Sequence, residues 1–258
     1  MKQRLDSYVC KTYGISRNRA QMCIREGSVL IDGSQETSCG FLVPEDAYVE
    51  LLKSDLGRYV SRSALKLKYF LDNHQEIDVS WKVCLDVGAS TGGFTQVLLE
   101  RWVKRIYAID VGTDQLHPTV KNDQRVVSLE WLDVRSVTSK QLPVTSSEFI
   151  DFVTVDVSFI SLTKILDDLV RIAREFGSSD GVQMILLWKP QFEVGRANLT
   201  KKWVVKDEKI RDKFLMSFVE LLNEKGFTIV CHEPSRLSGE EGNVEEIVWV
   251  REGESVDV

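Results

Sequence analysis

Apolar positions along the chain change period twice. Over residues 5–24 they recur at helical spacing: Leu5, Tyr8 and Val9 share one face, and Ala20 and Ile24 share another beyond a break at Gly14. Ser16 stands where a cap for the second helix is expected, and Gly27 where that helix would end. The spacing then shortens to that of strands. Residues 28–32 close on Asp32-Gly33, a hairpin-turn pair, and residues 48–52 read as a further strand. A polar break at 53–58 carries Ser54, Asp55 and Gly57, after which Ala64-Leu65-Lys66-Leu67 resumes a helical pattern with Ser61 as its cap.

Beyond residue 80 short apolar runs alternate with helical stretches. Runs end at Asp86, Asp110, Asp133, Asp156 and Lys189, and the last is stopped by Pro190. Residues 191–205 read as a long loop, 206–225 as a helix ended by Gly226, 227–231 as a strand, 233–243 as a turn-rich segment and 244–251 as a final strand. Five alternations followed by strand, turn, strand predict an α/β fold with a mostly parallel sheet and one antiparallel partner. The small α+β module would occupy residues 1–52, a linker 53–58, and the α/β domain 59–258.

Composition narrows the function. The chain has 258 residues, is 43% hydrophobic and carries a net charge of −6. The longest apolar stretches are too short to span a bilayer, and no basic-apolar-small signal opens the sequence, so a cytoplasmic protein without membrane partners is expected. Five cysteines without a CxxC pair, and three histidines, leave no metal-binding pattern; free thiols are expected. Charge is uneven: residues 1–26 hold six bases and two acids. A basic surface on an acidic body suits docking to a structured polyanion, and exposed Arg17, Asn18, Arg19 and Arg25 on the second helix suit RNA.

The central motif is Asp86-Val-Gly88-Ala-Ser90-Thr91-Gly92-Gly93-Phe94, a glycine turn between strand and helix. It has no Gly-Lys-Ser/Thr and no G-x-G-x-x-G, which argues against a P-loop and against the dinucleotide fingerprint. Asp86 would repel a pyrophosphate but could orient the ammonium end of S-adenosylmethionine. Asp110, roughly twenty residues on, could accept both ribose hydroxyls, and Asp133 the adenine amino group. Acids at three successive run ends therefore favour an adenosylmethionine site.

Two resemblances rest on these residues. Arg4-Leu5-Asp6, Gly14-Ile15-Ser16-Arg17, Ala20, Ile24, Gly27, Val29 and Asp32-Gly33 resemble the small domain first seen in ribosomal protein S-four, which implies binding to structured RNA, with Arg4 among the contacts. Ser61-Arg62 with Ala64-Leu65-Lys66-Leu67, the glycine turn, Asp110-Val111-Gly112, 156–162, Lys189-Pro190-Gln191-Phe192-Glu193 and Gly242-Asn243-Val244-Glu245 resemble the TlyA family. Its members join an S-four domain to a Rossmann-like methyltransferase related to FtsJ and are often labelled hemolysins. The resemblance implies methyl transfer from S-adenosylmethionine to a ribose 2′-hydroxyl of ribosomal RNA in a ribosomal subunit. It maps a Lys-Asp-Lys-Glu set onto Lys66, Asp156, Lys189 and Glu245.

A lysine beside a 2′-hydroxyl can take its proton if its own pKa is lowered, and Lys189 is the expected base. Asp156 and Glu245 would orient lysines and hydroxyl, while opposing that lowering; Lys66 would position the ribose. The RNA-contacting set is expected to include Arg62 and, on the long loop, Arg196, Lys201 and Lys202 beside Trp203. Asp156-Val157-Ser158-Phe159 lacks the Asn/Asp-Pro-Pro-aromatic turn of amino-group methyltransferases, and neither Cys84 nor Cys231 stands where a cytosine-C5 enzyme needs its thiol. A non-catalytic RNA-binding protein and a membrane-active hemolysin are the alternatives. The short ends resemble the family's shorter form, which acts on a cytidine of the large subunit alone, whereas the longer form acts on both subunits; large-subunit RNA is the expected substrate and small-subunit RNA the further one. Oligomeric state is not encoded in any pattern found.

Overall fold

The structure, a computed structural model, describes residues 3–25, 28–51, 58–145, 148–239 and 242–253. It divides into two compact units, Met1–Leu65 and Lys66–Val258. In the first, β1 (Gln3–Arg4) runs into α1 (Leu5–Tyr13), which stops where Gly14 turns left-handed at φ 64°. Ser16 Oγ accepts from Arg19 N–H at 3.3 Å and so caps α2 (Arg17–Arg25), as the pattern predicts. β2 (Val29–Ile31) turns through Asp32-Gly33 into β3 (Ser34–Gln35), β4 (Leu42–Val43) pairs with β1, and β5 (Val49–Leu51) pairs with β2. The helical apolar positions Leu5, Val9, Ala20 and Ile24 are fully buried with Val29 beside them in sequence pattern and burial. Gly27, the expected helix stop, and 53–57 of the expected linker lie outside the described residues.

Helix α3 (Ser63–Asn73) begins two residues after Ser61, whose hydroxyl lies 2.8 Å from that of Ser63. The expected Ser61 cap is therefore displaced by one position: the helix starts after Arg62. The second unit is built on β6 (Val83–Val87), β7 (Arg105–Ile109), β8 (Val126–Leu129), β9 (Phe152–Val155), β10 (Gln183–Trp188), β11 (Phe227–Pro234) and β12 (Glu246–Glu252). Helices α4 (Gly93–Glu100), α5 (Pro118–Lys121), α6 (Leu166–Phe176), α7 (Pro190–Glu193) and α8 (Glu208–Glu224) connect them. Strand order is β11-β12-β10-β9-β6-β7-β8. Strands β6 to β10 pair in parallel, and β12 runs antiparallel to both β10 and β11, the one reversed strand the sequence predicts. All of Val83–Val87 and Phe152–Val155 is buried, as strands covered on both faces must be. The order reverses at β6 and β9. In an open α/β sheet the crevice outside the carboxyl ends of those strands is where a ligand binds.

Several boundaries differ from expectation, each for a local reason. The run over 126–134 is strand only to Leu129, because Trp131 turns left-handed at φ 55° and a 3-10 turn, Val134–Ser136, follows. Residues 191–205 are not a bare loop. They contain α7, a 3-10 turn at Arg196–Asn198 and a Leu199–Val205 bridge. Buried Asn243 ties this segment down by donating to Trp203 O at 2.9 Å and accepting from Val205 N at 3.0 Å. Trp81, Trp102, Trp131 and Trp203 all have φ between 55° and 61° and are half to four-fifths exposed, whereas Trp188 and Trp249 are buried in strands.

Candidate active site

The glycine turn is shaped by close approach. Gly88 leaves β6 at φ 82°, and a Cβ there would lie 2.6 Å from the carbonyl oxygen of Asp156. Only glycine lets the ends of β6 and β9 meet so closely. Gly92, at φ 92°, precedes α4; a Cβ there would meet Val120 and Leu116 at 2.9 and 3.0 Å. Beside this turn lies a cavity of about 380 Å³ lined by Gly88, Ser90, Asp110, Gln115, Asp133, Asp156 and Phe159 among others. Its size suits a nucleoside-like ligand.

The acids differ in their setting. Asp110 follows β7, and its two oxygens accept from Ser90 N–H at 2.8 Å and Gly112 N–H at 2.7 Å, which fixes the carboxylate and leaves a lone pair on each oxygen. Asp133 caps the 3-10 turn and is held by Arg135 at 2.6 Å, so the guanidinium keeps its carboxyl below the usual range. Asp86 departs from the expected role. It is fully buried and absent from the cavity wall, with Thr95 donating to one oxygen at 2.6 Å and Thr154 to the other at 2.8 Å. Burial pushes its pKa up to about 6, against the two threonine hydrogen bonds. The run does not end at Asp86 as expected: β6 continues to Val87, so Asp86 lies inside the strand, where its two threonine partners tie it to α4 and β9. Thr91, Gly92, Gly93 and Phe94 also do not line the cavity; Phe94 is buried behind the turn.

The four candidate catalytic residues form two ion pairs. Lys189, where β10 ends, lies 2.6 Å from Asp156 Oδ1 and donates to Ser158 Oγ at 2.9 Å. Lys66 on α3 is paired with Glu245, both buried. Spacing along the helix gives Lys66 no partner, and its burial against a carboxylate is a tertiary fact. Glu245 is held close to the backbone of Gly239, where a Cβ would lie 2.7 Å from Oε1. Strand register accounts for the grouping. Trp188 pairs with Glu246, so Lys189 and Glu245 each lie one residue beyond the same pair, and Asp156 follows Val155, the partner of Leu186.

Ser158, Phe159 and Glu193 stand in the sequence motifs without an expected role, and Gln115, Thr95 and Thr154 carry no sequence signal of one. Phe159 is 92% exposed at φ 65° with its ring centroid 5.4 Å from that of Phe192. Glu193 accepts from Leu162 N–H at 2.8 Å and from the Ser161 hydroxyl. An acid four residues past Lys189 was the available signal for it. Of the candidate RNA contacts, Arg4, Arg17, Asn18 and Arg25 are exposed and Arg19 is half-buried. Arg62 is half-buried rather than free-standing. Lys201 and Lys202 are exposed, while Arg196 lies 4.5 Å over the ring of Trp203 and donates to Thr200 O. Among the described residues no cluster of His, Cys, Asp and Glu could hold a metal, and no helix is long and apolar enough to cross a membrane.

Residues 59–252 match the model of the FtsJ-like methyltransferase family. The chain is 38% identical over 259 residues to the 23S rRNA (cytidine-2′-O)-methyltransferase TlyA of Campylobacter jejuni, covering 94% of this chain and 96% of that protein. The chain belongs to the TlyA group of FtsJ-like methyltransferases. It is 36% identical to the 16S/23S rRNA (cytidine-2′-O)-methyltransferase TlyA of Mycobacterium tuberculosis, over 97% of this chain and 90% of that one. A solved structure from Streptococcus thermophilus that bears the hemolysin name superposes with a TM-score of 0.73 at 32% identity, covering 98% of this chain and 90% of that chain. As a TlyA-group methyltransferase the chain is an enzyme, and the two ion pairs at the sheet's edge are its candidate catalytic groups.

Proposed function

We propose that this TlyA-group enzyme transfers a methyl group from S-adenosylmethionine to the 2′-hydroxyl of a cytidine in large-subunit ribosomal RNA, within the cytoplasm. One observation carries the chemistry: Asp156 both lines the cavity and pairs with buried Lys189, so a catalytic pair adjoins the nucleoside-sized space. The cavity fits the cofactor. Asp110 retains lone pairs for ribose hydroxyls, Asp133 stands as acceptor on the same wall, and the bare backbone at Gly88 permits close approach. Bound there, S-adenosylmethionine supplies an electrophilic methyl. Asp86 would then act on the turn's shape rather than on the ligand.

Lys189 is the group that takes up the proton of the attacking 2′-hydroxyl, and Asp156 and Ser158 fix where its Nζ stands. Lys66, held by Glu245, positions the ribose. Residues 1–52 would carry the RNA address. Arg4, Arg17, Asn18 and Arg25 give that module an exposed polar and basic surface, with Arg19 beside them. Lys201 and Lys202 are candidates for further phosphate contacts.

The test is methyl transfer from labelled S-adenosylmethionine to separate ribosomal subunits from a strain lacking the enzyme, with the product mapped. Label on a large-subunit ribose that falls roughly 10²–10⁴-fold in Lys189→Ala is expected. Label on both subunits would overturn the large-subunit assignment, and label that survives Lys189→Ala would overturn the assignment of the base.

A further inference from the structure

The catalytic pair joins two pieces of backbone that no shared strand holds together at that point. Asp156 and Ser158 belong to the irregular segment after β9, and Lys189 stands at the entrance to the four-residue helix α7. Strand β9 ends at Val155, and Asp156 N–H bonds to Val87 O at 2.9 Å. The segment then turns through Phe159 at φ 65° and regains regular form only in the 3-10 turn Leu162–Lys164. Asp156 and Ser158 therefore need a second anchor on the far side of the turn.

That anchor is Glu193, at the end of α7. Its Oε1 accepts from Leu162 N–H at 2.8 Å and its Oε2 from the Ser161 hydroxyl, so one carboxylate grips both residues that open the 3-10 turn. Ser161 caps the same turn through Thr163 N–H at 3.1 Å. The contact closes a loop of structure: Lys189, α7, Glu193, Leu162, Ser161, Ser158 and back to Lys189. Burial pushes the carboxyl of Glu193 up, and the two donated hydrogen bonds oppose that. The side chain lies outside the cavity wall.

We propose that Glu193 is a positioning residue for methyl transfer, which fixes Asp156 and Ser158 against Lys189 by clamping the segment after β9 to α7. The proposal rests on the reading of Lys189 as the base. Removal of the clamp acts through the position of Lys189's partners, so turnover suffers more than cofactor binding.

The experiment compares Glu193→Ala, Glu193→Gln and the parent enzyme by single-turnover methylation of ribosomal subunits over a range of pH, with cofactor affinity and thermal unfolding measured on the same preparations. Glutamine keeps an acceptor for Leu162 N–H and can donate to the Ser161 hydroxyl, so it should restore the clamp. Expected are a 10–100-fold lower turnover in Glu193→Ala, cofactor affinity within about threefold of the parent, a displaced pH–rate profile, and recovery to within about fivefold in Glu193→Gln. Turnover per folded molecule and a pH profile equal to the parent's in Glu193→Ala would overturn the proposal, as would cofactor affinity falling in step with turnover. If Glu193→Ala does not fold, Ser161→Ala, which removes one of the two donors, carries the same test: a turnover loss of about threefold supports it and none opposes it. Parallel assay of Lys189→Ala separates the two claims, since an active Lys189→Ala defeats the base assignment whatever Glu193 does.

Discussion

Two aspartates, one in each unit, are fully buried and meet opposite electrostatic fates. Asp6 opens α1 beneath two half-exposed guanidiniums, and Asp86 lies within β6. Asp6 accepts from Arg4 at 3.2 Å, from Arg17 at 3.2 and 3.3 Å, from Gln21 at 2.9 Å and from Ser7 N–H at 2.8 Å. Its pKa falls far below the usual carboxylate range, chiefly through Arg4. Asp86 has two neutral hydroxyls for partners, and burial lifts its pKa to about 6. Loss of exposed surface is common to both, so the charge on the partners decides which way ionisation goes. The difference suits their places: one carboxylate orders arginines that face solvent, the other braces the turn beside the cavity.

The largest effect should come from breaking the first site. Asp6→Ala leaves Arg4 and Arg17 without their common acceptor and Ser7 N–H without its bond. A loss of about 2–3 kcal/mol in urea unfolding is expected, moderated because both arginines reach water.

Next comes the pH dependence that separates the pair. Asp86 has a raised folded-state pKa, so its contribution is full below the unfolded value and is lost as pH rises through about 6. Its ionisation should cost on the order of 2–3 kcal/mol between about pH 4 and 7. Asp6 has a depressed folded-state pKa, so its contribution is present above the unfolded value and is lost only in strong acid. Unfolding curves from pH 4 to 8 should therefore flatten in Asp86→Asn and keep their parental shape in Asp6→Asn, after its overall offset. A slope unchanged by Asp86→Asn would count against the contrast.

Removing one neutral partner sharpens the same point. Thr154→Val, which deletes a hydroxyl that stabilises the ionised carboxylate, should cost about 1–2 kcal/mol at pH 7.5 and less at pH 5. The smallest effect is a reference for the others. Trp102→Gly relieves a left-handed backbone at an exposed position and should gain about 1 kcal/mol at every pH, net of the added freedom of the unfolded chain. Chemical denaturation at two pH values checks both.

Much of the architecture was legible in the residues. Alternating apolar runs announced the parallel sheet and its reversed strand, since a buried strand must be apolar along its length. Gly88 and Gly92 marked the turn because no other residue fits there. Asp110 and Asp133 could be named because each closes a run or its turn, and the structure sets both on the cavity wall. Asp86 occupied the same pattern position and yet faces Thr95 and Thr154 instead. Run ends tell that a side chain nears the sheet's edge, but not which side of that edge it meets.

The sequence by itself determined the order of elements, the glycine turn and the types of residue at the strand ends, because periodicity and backbone sterics are local. Only the tertiary structure decided the pairing of Lys66 with Glu245, of Lys189 with Asp156 and Ser158, and the grip of Glu193 on Leu162. Those contacts join residues remote along the chain. Their existence depends on strand register and on how the segment after β9 turns, which no local pattern specifies.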